Sequence, residues 1–598
     1  MGCCFGKANK NIIVPETSVN FRSKHPPPPK FILYDPQNVI VNLTEEDEEL
    51  YSPTPPKNDR DQLIPDLAVF NRIDQHAKTA PAICRSSAHD LANYLIEPCK
   101  TDIDIVRAFY IWVCHNISYD VDSYFGNTTQ RSNDAKTVLT TGLAVCEGYS
   151  NIFASLCRAV GIPVKKVSGY AKGYGHDAET PFVIGQKTNH AWNAIFVQGE
   201  WRLVETTWGA GNMSNNQFHR EVTDVYFLMD PSLMVNAHYP FMNNNEARSH
   251  KWQLLQKPQS LDQFNTSIKK YGSGLEWEVD ITPDLSVIKV SRKTEIIIQS
   301  KRLTLVKVMA VLQERNSNTQ IDGFLFVHQI SKGKFVVSVQ PPFKGKYKLS
   351  LFGNISNEEN QLPGIAHIIL DVTDVDENVN PYPNVNMSYG ANDPKAHGLA
   401  ESMRCGGLYV SKTGTIGIPV ETEPGVSLTT ELIHSLKEIK DSRDYSSLER
   451  KSKTKYICQV RLPYCGFYEF KIFTRLPNQS GSTLPFAARV LIECLNPTNK
   501  GPFPTTYDFA KEIQCTMIQP DSKAIAAESS VVFEVCSSQL VVATVHTNAG
   551  KFSMTPVKDS SIWKCTVQTP RKGEEITLYG NITSGSGSLK GLYKFVTV

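Results

Sequence analysis

Residues 141–153 of this 598-residue chain read TGLAVCEGYSNIF, and this stretch decides how the first part of the chain folds. Apolar residues recur at helical spacing from Tyr149 to Val160, and a Gly-Ile-Pro sequence then ends the predicted helix. Cys146 therefore lies in the first helical turn, where unpaired backbone N–H groups and the helix dipole favour a negative charge. This position favours a nucleophilic thiolate. The alternative is a buried, inert thiol, which we expect at Cys157.

Two alternating segments, residues 189–197 and 200–205, follow the predicted helix and have a Gln-Gly pair between them. A two-residue turn at this pair predicts an antiparallel hairpin in which Glu205 faces Trp192. His190 then lies on the same face, diagonal to Glu205, at the roughly 7–8 Å backbone separation that long polar side chains bridge. A one-residue change in the turn would put the two side chains on opposite faces. The spacing thus predicts an imidazole beside a carboxylate.

A cysteine at a helix start, with a histidine and a carboxylate on neighbouring strands, is the arrangement of a thiol acyl-transfer triad. In this interpretation Cys146 attacks a carbonyl, His190 takes and returns the proton, and Glu205 orients the imidazole. The backbone N–H of Cys146 supplies one oxyanion donor. No glutamine lies a few residues before the cysteine to supply a second. Trp112 offers an indole N–H, but its place on an apolar helical face favours core packing.

These segments resemble the transglutaminase-like superfamily, and more narrowly its kyphoscoliosis peptidase and hillarin branch. The resemblance spans about residues 75–255 and rests on residues 141–153, 161–164 (GIPV), 168–170 (SGY), 189–193 (NHAWN) and 203–209 (LVETTWG). It implies an α+β papain-like core with Cys146 as nucleophile and His190 as base. From the residues themselves we expect no cofactor and no metal. Glu205 stands where the family ordinarily has aspartate, one methylene shorter. Several superfamily members are non-catalytic modules, so a binding role is the alternative.

Behind the core the composition shifts to short β-rich runs that contain an internal repeat. An aromatic residue, a valine four residues on, a proline three further and a glycine three further recur at 335–345, 456–466 and 563–573. The number of residues between successive copies is about the length of one β-sandwich domain. The proline and glycine are expected at a turn between two paired strands. We predict a core at residues 76–257 and immunoglobulin-like β-sandwiches at 258–375, 376–502 and 503–598.

The first residues, MGCCFGK, resemble an acylation signal. Removal of the initiator methionine would expose Gly2 for myristoylation, and Cys3 and Cys4 would take the palmitate that stable membrane residence requires. Gly6 departs from the usual signal, which has Ser or Thr there, and the alternative is a terminus that merely carries two cysteines. Proline runs and the acidic run EEDEE at 45–49 indicate an extended tether over residues 1–75.

Overall composition excludes several classes of function. Lys+Arg number 62 and Asp+Glu 60, which argues against binding to nucleic acid through bulk charge. No apolar run reaches the roughly 18 residues of a membrane span, and no signal peptide is evident, so we expect a cytoplasmic protein. The 14 cysteines form no CxxC pairs and are expected to be reduced. The carboxylates at 371–377 lack the glycine of a calcium loop, and we expect a solvated linker there.

Two functional hypotheses follow from the sequence. The first is a membrane-tethered cysteine acyl transferase, a peptidase or a cross-linker, that acts on protein substrates. The second is a catalytically weak scaffold that uses the core and the sandwiches to contact cytoskeletal proteins, a role the resemblance to this branch implies. In both, N-terminal lipids hold the protein at the inner leaflet. Selective alkylation of Cys146 among the 14 cysteines would separate them.

Overall fold

The computed structural model describes residues 51–356, 361–385, 387–481, 483–583 and 588–598. The chain begins with a mixed helical and β core, and β-sandwiches follow it. The helices before the first sandwich strand are α1 (Arg60–Leu63), α2 (Asn71–Lys78), α3 (Ala88–Leu95), α4 (Asp102–Asn116), α5 (Val121–Phe125), α6 (Ala135–Thr141), α7 (Cys146–Ala159), α8 (Thr206–Gly209), α9 (Pro231–Met234), α10 (Glu246–His250), α11 (Leu261–Thr266) and α12 (Gly272–Glu276). None of the helices that the structure describes has both the length and the apolar character needed to cross a bilayer.

The central sheet of the core has four strands in the order β5-β4-β3-β8, all antiparallel to their neighbours. Two short pairs, β1 with β2 and β6 with β7, flank it. The strands are β1 (Ser118–Tyr119), β2 (Leu143–Ala144), β3 (Val164–Ala171), β4 (His190–Val197), β5 (Glu200–Val204), β6 (Gly211–Ser214), β7 (Gln217–Arg220) and β8 (His238–Pro240). Helix α7 packs on β3 and β4, so the start of α7 lies against the sheet.

Local sequence signals account for where the core helices begin. The Ser87 side chain accepts a hydrogen bond from Asp90 N and caps α3, as its position before an apolar run predicts. Thr101 and Asp104 form a reciprocal capping box at the start of α4. Most of α4 is buried, and it forms the centre of the helical layer.

The structure corrects the predicted tether over residues 1–75, because the chain from residue 51 onward packs on the core. Tyr51 accepts a hydrogen bond from the Trp201 indole through its carbonyl, at 2.9 Å. Asp74 on α2 makes a two-bond ion pair with Arg107 of α4, at 2.7 and 2.8 Å. These contacts join residues far apart in sequence, so the local composition that indicated a spacer could not reveal them. Residues 1–50, with Gly2, Cys3 and Cys4, lie outside the described residues.

Three two-layer sandwiches follow. In the first, the sheets have the orders β10-β16-β15-β12 and β13-β14-β11-β9, and the second combines β17-β23-β22-β19 with β18-β21-β20. Their strands are β9 (Val279–Thr282), β10 (Val287–Ser291), β11 (Thr294–Ser300), β12 (Lys307–Glu314), β13 (Leu325–Ser331), β14 (Lys334–Val339), β15 (Gly345–Asn354), β16 (Gly364–Asp374), β17 (Leu408–Ser411), β18 (Thr415–Glu421), β19 (Ser427–His434), β20 (Ser446–Arg450), β21 (Lys455–Arg461), β22 (Gly466–Arg475) and β23 (Phe486–Cys494).

The third sandwich combines β24-β33-β32-β28-β29, with β26 also paired to β33, and β25-β27-β31-β30. A single helix, α13 (Asp508–Glu512), packs on β33. The strands are β24 (Thr505–Thr506), β25 (Thr516–Gln519), β26 (Ala524–Ile525), β27 (Ser530–Cys536), β28 (Val542–Thr547), β29 (Gly550–Ser553), β30 (Thr555–Pro556), β31 (Ile562–Gln568), β32 (Glu575–Asn581) and β33 (Lys590–Thr597). Each sandwich has its own cluster of buried apolar residues. The exact boundaries between the units stay predictions.

The repeated proline and glycine lie at a different kind of turn from the one predicted. They join β14 to β15, β21 to β22 and β31 to β32, and in each pair the two strands belong to opposite sheets. The prediction that these turns connect paired strands is therefore wrong. The buried Val337 and Val339 of β14 and the buried Tyr347 and Leu349 of β15 enter the same apolar cluster from its two faces. The connection must cross between layers for both strands to bury these residues.

Candidate active site

Cys146 opens α7 and is partly exposed, as its position in the sequence predicts. Its Sγ atom lies 4.0 Å from the carbonyl oxygen of Asn189, directly before β4. Gly148 lets the helix start pack tightly on β2, because a Cβ at this position would lie 2.8 Å from the Cβ of Ala144. By contrast Cys157, on the same helix, is fully buried, and burial raises the pKa of its thiol. The expectation of an inert Cys157 is confirmed.

His190 and Glu205 meet, as the hairpin spacing predicts, with 2.7 Å between Nε2 and Oε2. The paired register of β4 and β5 puts Asn193 opposite Val204, but the ladder ends there. Glu205 instead leaves the sheet and caps α8, and its Oε1 accepts hydrogen bonds from the backbone N–H groups of Thr207 (2.7 Å) and Trp208 (3.1 Å). One carboxylate thus fixes a helix start with one oxygen and the imidazole with the other.

Electrostatics make this pair an ion pair at neutral pH. Burial lowers the pKa of His190, but the charges of Glu205 and Cys146 outweigh it and raise the pKa to about 10. Burial likewise raises the pKa of Glu205, yet His190 and His238 hold it well below its usual range. The Glu205 side chain is 0% exposed and that of His190 7% exposed, so solvent barely screens the interaction. Since Nε2 faces Glu205, Nδ1 is the nitrogen left for Cys146.

His238 is a site residue that our sequence analysis missed. It lies on β8 with Nε2 3.3 Å from the Glu205 Oε2, and it is fully buried between the rings of Trp208 (4.3 Å) and Trp192 (5.1 Å). Burial, with a smaller contribution from His190, lowers its pKa. No local sequence motif indicates that His238 belongs to the site. It reaches the site because β8 pairs with β3, and that pairing is a long-range contact.

The ligand atoms of His190, Glu205 and His238 lie within 4.8 Å of one another, close enough to hold a metal ion. However, the 2.7 Å distance from His190 to Glu205 is that of a charge-assisted hydrogen bond. The second oxygen of Glu205 is held by two backbone N–H groups. We therefore interpret the cluster as one carboxylate that is held by His190 and by two backbone N–H groups, with His238 close to it but not hydrogen-bonded to it.

Two further side chains, one of them considered in the sequence analysis, bear on the oxyanion site. Trp112 is fully buried in α4 within the core cluster, in agreement with the core-packing alternative. Tyr119 was not singled out from the sequence. It is half-buried on β1, which pairs with β2 immediately before Cys146. Burial, and then the charge of Cys146, raise the pKa of Tyr119, which therefore stays a neutral hydroxyl beside the nucleophile.

Two other polar residues lie outside this cluster. His176 is half-buried and stacks on Phe182, and burial together with nearby lysines lowers its pKa to about 4. Among the carboxylates expected to form a linker, Asp374 pairs with Arg292 at 3.0 Å.

Comparison with known proteins agrees with this fold. Residues 89–206 match the transglutaminase-like superfamily, and residues 275–383 and 401–505 match the KY-like, immunoglobulin-like domain. The chain is thus a transglutaminase-like core followed by immunoglobulin-like β-sandwiches.

Three curated relatives narrow the assignment. Kyphoscoliosis peptidase of Mus musculus is 28% identical over 483 residues, which cover 79% of this chain and 68% of that protein. Hillarin of Drosophila melanogaster is 28% identical over 344 residues (52% and 40%), and the Lim and transglutaminase domain protein ltd-1 of Caenorhabditis elegans is 28% identical over 225 residues (36% and 29%). These similarities support the kyphoscoliosis peptidase and hillarin branch of the transglutaminase-like superfamily.

Proposed function

We propose that the core is a cysteine-dependent acyl transferase that acts on protein substrates, as a peptidase or a cross-linker, through Cys146, His190 and Glu205. The observation that carries the proposal is the buried 2.7 Å contact of His190 with Glu205, beside a partly exposed cysteine at a helix start. A catalytic triad needs a buried carboxylate that holds the imidazole in a fixed orientation. A core that serves only for packing or binding does not need one.

In the proposed reaction the Cys146 thiolate attacks a substrate carbonyl carbon, and a C–S bond forms. The backbone N–H of Cys146 stabilises the oxyanion. When the tetrahedral intermediate collapses, the amine leaves with the proton that His190 Nδ1 gives up, and a thioester remains. Water or a lysine amine then attacks the thioester and passes a proton to His190, and the C–S bond breaks. Water gives hydrolysis, and an amine gives an isopeptide bond.

Glutamate in place of the usual aspartate is compatible with this role. The additional methylene, about 1.5 Å of reach, lets the carboxylate cap α8 and still contact Nε2 of His190. Glutamate orients the base in other triads.

Two assays on the full-length protein test the proposal. We expect release of an activated-ester chromophore with a burst equal to the enzyme concentration, because a thioester accumulates. Incorporation of a labelled primary amine into a protein substrate would separate cross-linking from hydrolysis. Cys146→Ala should abolish both reactions, and Cys405→Ser, which removes an exposed cysteine in the second sandwich, should leave both unchanged. Equal turnover by the Cys146→Ala protein would refute the proposal.

A scaffold role is the second candidate, and one feature of the second sandwich favours it. Strand β17 lies at the edge of its sheet, and the side chains of Leu408 and Val410 are 43% and 45% exposed. An exposed apolar edge strand can add a strand of a partner protein to its sheet. A cytoskeletal protein would be such a partner, with or without catalysis in the core.

The location of the protein is also part of the proposal. Myristate on Gly2 and palmitate on Cys3 or Cys4 would hold the chain at the inner leaflet, since two lipid chains are needed for stable residence. The support for this is the sequence MGCC alone.

A further inference from the structure

The Nε2 atom of His238 is buried beside the catalytic pair and has no hydrogen-bond partner among the described residues, although the Glu205 Oε2 lies only 3.3 Å away. The other side of the ring is satisfied, because the backbone of Met234 hydrogen-bonds to it. Since Nε2 has no partner, that hydrogen bond is made at Nδ1. In the neutral ring, the Nε2 lone pair is then left next to a carboxylate. Two buried acceptors side by side are unfavourable unless a cation lies between them.

The distances around this nitrogen fit a metal ion. Zinc binds histidine nitrogen and carboxylate oxygen at about 2.1 Å, so two ligand atoms 3.3 Å apart subtend about 104° at the ion, close to the tetrahedral angle. The ligand atoms of His190, Glu205 and His238 all lie within 4.8 Å of one another. The His190 Nε2 is closer to the carboxylate, at 2.7 Å, and withdraws by about 0.6 Å (3.3 − 2.7) when it completes the set.

The surroundings of the three ligands resemble those of established metal sites, where a second set of contacts orients each ligand. The Glu205 Oε1 is held by the backbone N–H groups of Thr207 and Trp208, which leaves Oε2 for the ion. The indole rings of Trp208 and Trp192 pack on His238 at 4.3 and 5.1 Å and keep water from competing for the ligands. The His190 side chain is 7% exposed and that of His238 1%, so an ion enters from the side of His190.

The chemistry of the ligands selects the kind of ion. Two imidazoles and one carboxylate, with a fourth position for water, are a common ligand set of zinc. Calcium and magnesium instead bind sites made of oxygen ligands. The cluster therefore suits Zn²⁺ rather than the divalent ions that are most abundant in cells.

We propose that His190, Glu205 and His238 form a Zn²⁺ site whose occupied state excludes the catalytic arrangement. The ion binds the Nε2 lone pair of His190, and one proton leaves Nε2 for solvent with each ion bound. His190 then no longer donates its hydrogen bond to Glu205, so the metal-bound core lacks the contact that orients the base. The effect on catalysis rests on the proposed acyl transfer, whereas the binding of the ion does not.

Cobalt substitution in the full-length Cys146→Ala protein tests the site without turnover. Four-coordinate Co²⁺ with nitrogen and oxygen ligands absorbs visible light, and thiolate ligands add a strong band in the near ultraviolet. We expect the visible band to saturate at one Co²⁺ per chain without the thiolate band. Zn²⁺ should displace the Co²⁺, and an excess of Ca²⁺ should not. A thiolate band alone would show binding only at exposed cysteines such as Cys405 and Cys465, and would overturn the proposal.

Three variants in the same Cys146→Ala background identify the ligands. His238→Gln should weaken Co²⁺ binding at least about 100-fold, because even the loss of an outer contact of a metal ligand costs about 10–100-fold. His190→Gln, at the exposed edge of the cluster, should do the same and provides a second test if circular dichroism shows that His238→Gln does not fold. His89→Gln removes an exposed histidine from α3 and should leave binding unchanged.

An unchanged visible band in either folded ligand variant would overturn the proposal. The result is separate from the test of the proposed activity. A protein that binds Co²⁺ through His190 and His238 but hydrolyses no ester would support the metal site and refute only the acyl transfer.

Discussion

Glu205 accepts the His190 Nε2 hydrogen bond at 2.7 Å while its other oxygen caps the helix that follows β5. The orientation of the imidazole is therefore tied to the backbone, because the carboxylate cannot move without breaking its hydrogen bonds to two backbone N–H groups. An aspartate at this position would be too short for both contacts without a shift of β5. We infer that the site is built around glutamate.

This relationship predicts the behaviour of two Glu205 variants. Glu205→Gln keeps an oxygen for the helix cap but loses the charge that stabilises the imidazolium, so turnover should fall about 10⁴-fold with the fold retained. Glu205→Asp should also lower turnover, because the shorter carboxylate gives up one of its two contacts. Ester hydrolysis and the circular dichroism spectrum would be measured together. If Glu205→Asp were more active than the parent, glutamate at this position would orient His190 less well than aspartate does.

His238 should act as a positioning residue that keeps Glu205 ionised. It lowers the pKa of Glu205, so His238→Ala should move the acid limb of the kcat/KM profile to higher pH. His238→Gln keeps a donor near the Glu205 Oε2 and should restore much of the original profile. The pH profile separates this role from simple packing against Trp208, which would lower activity without moving the limb. An unmoved acid limb in the Ala variant would contradict the role.

The ion pair of Asp74 with Arg107 tests whether residues before 76 are part of the folded core. Arg107 is almost fully buried and pairs with Asp74 and Asp224, so Asp74→Ala leaves a buried guanidinium with one partner instead of two. The core should lose about 3 kcal/mol of stability. Asp61→Ala, which removes a more exposed pair with Arg302, should cost less than about 1 kcal/mol. Urea unfolding followed by tryptophan fluorescence would report mainly the core, which holds five of the seven tryptophans. If Asp74→Ala and Asp61→Ala lost equal stability, residues 71–78 would belong to the tether and not to the core.

Gly2 determines the predicted membrane attachment. Gly2→Ala should shift the protein from the membrane fraction to the soluble fraction of a cell lysate, because myristoylation requires an N-terminal glycine. Cys3→Ser with Cys4→Ser should have nearly the same effect, since one lipid chain binds only transiently. A Gly2→Ala protein that remains wholly with membranes would disprove acylation as the anchor.

Much of the site could be predicted because its signals are local. The apolar spacing and the Gly-Ile-Pro stop placed Cys146 at a helix start, and the Gln-Gly turn set the register that brings His190 to Glu205. These features depend on residues within one or two elements of each other, where spacing alone determines geometry.

The rest depends on contacts between elements distant in sequence. His238 joins the site through the pairing of β8 with β3, and Asp74 joins the core through Arg107. The repeated proline-glycine turn was located correctly, but the sheet that each strand enters depends on which face of the sandwich buries its side chains. No spacing rule within one strand contains that information.

The most direct test of the central claim is the rate at which iodoacetamide alkylates Cys146 at pH 6.5, measured by peptide mapping of the full-length protein. An ordinary thiol is about 1% ionised at this pH. If His190 holds Cys146 as a thiolate, Cys146 should react at least about 10-fold faster than the exposed Cys405 and Cys465, and His190→Ala should abolish the difference. A Cys146 that reacts no faster than these two thiols, with or without His190, would contradict the account and leave the core as a binding module.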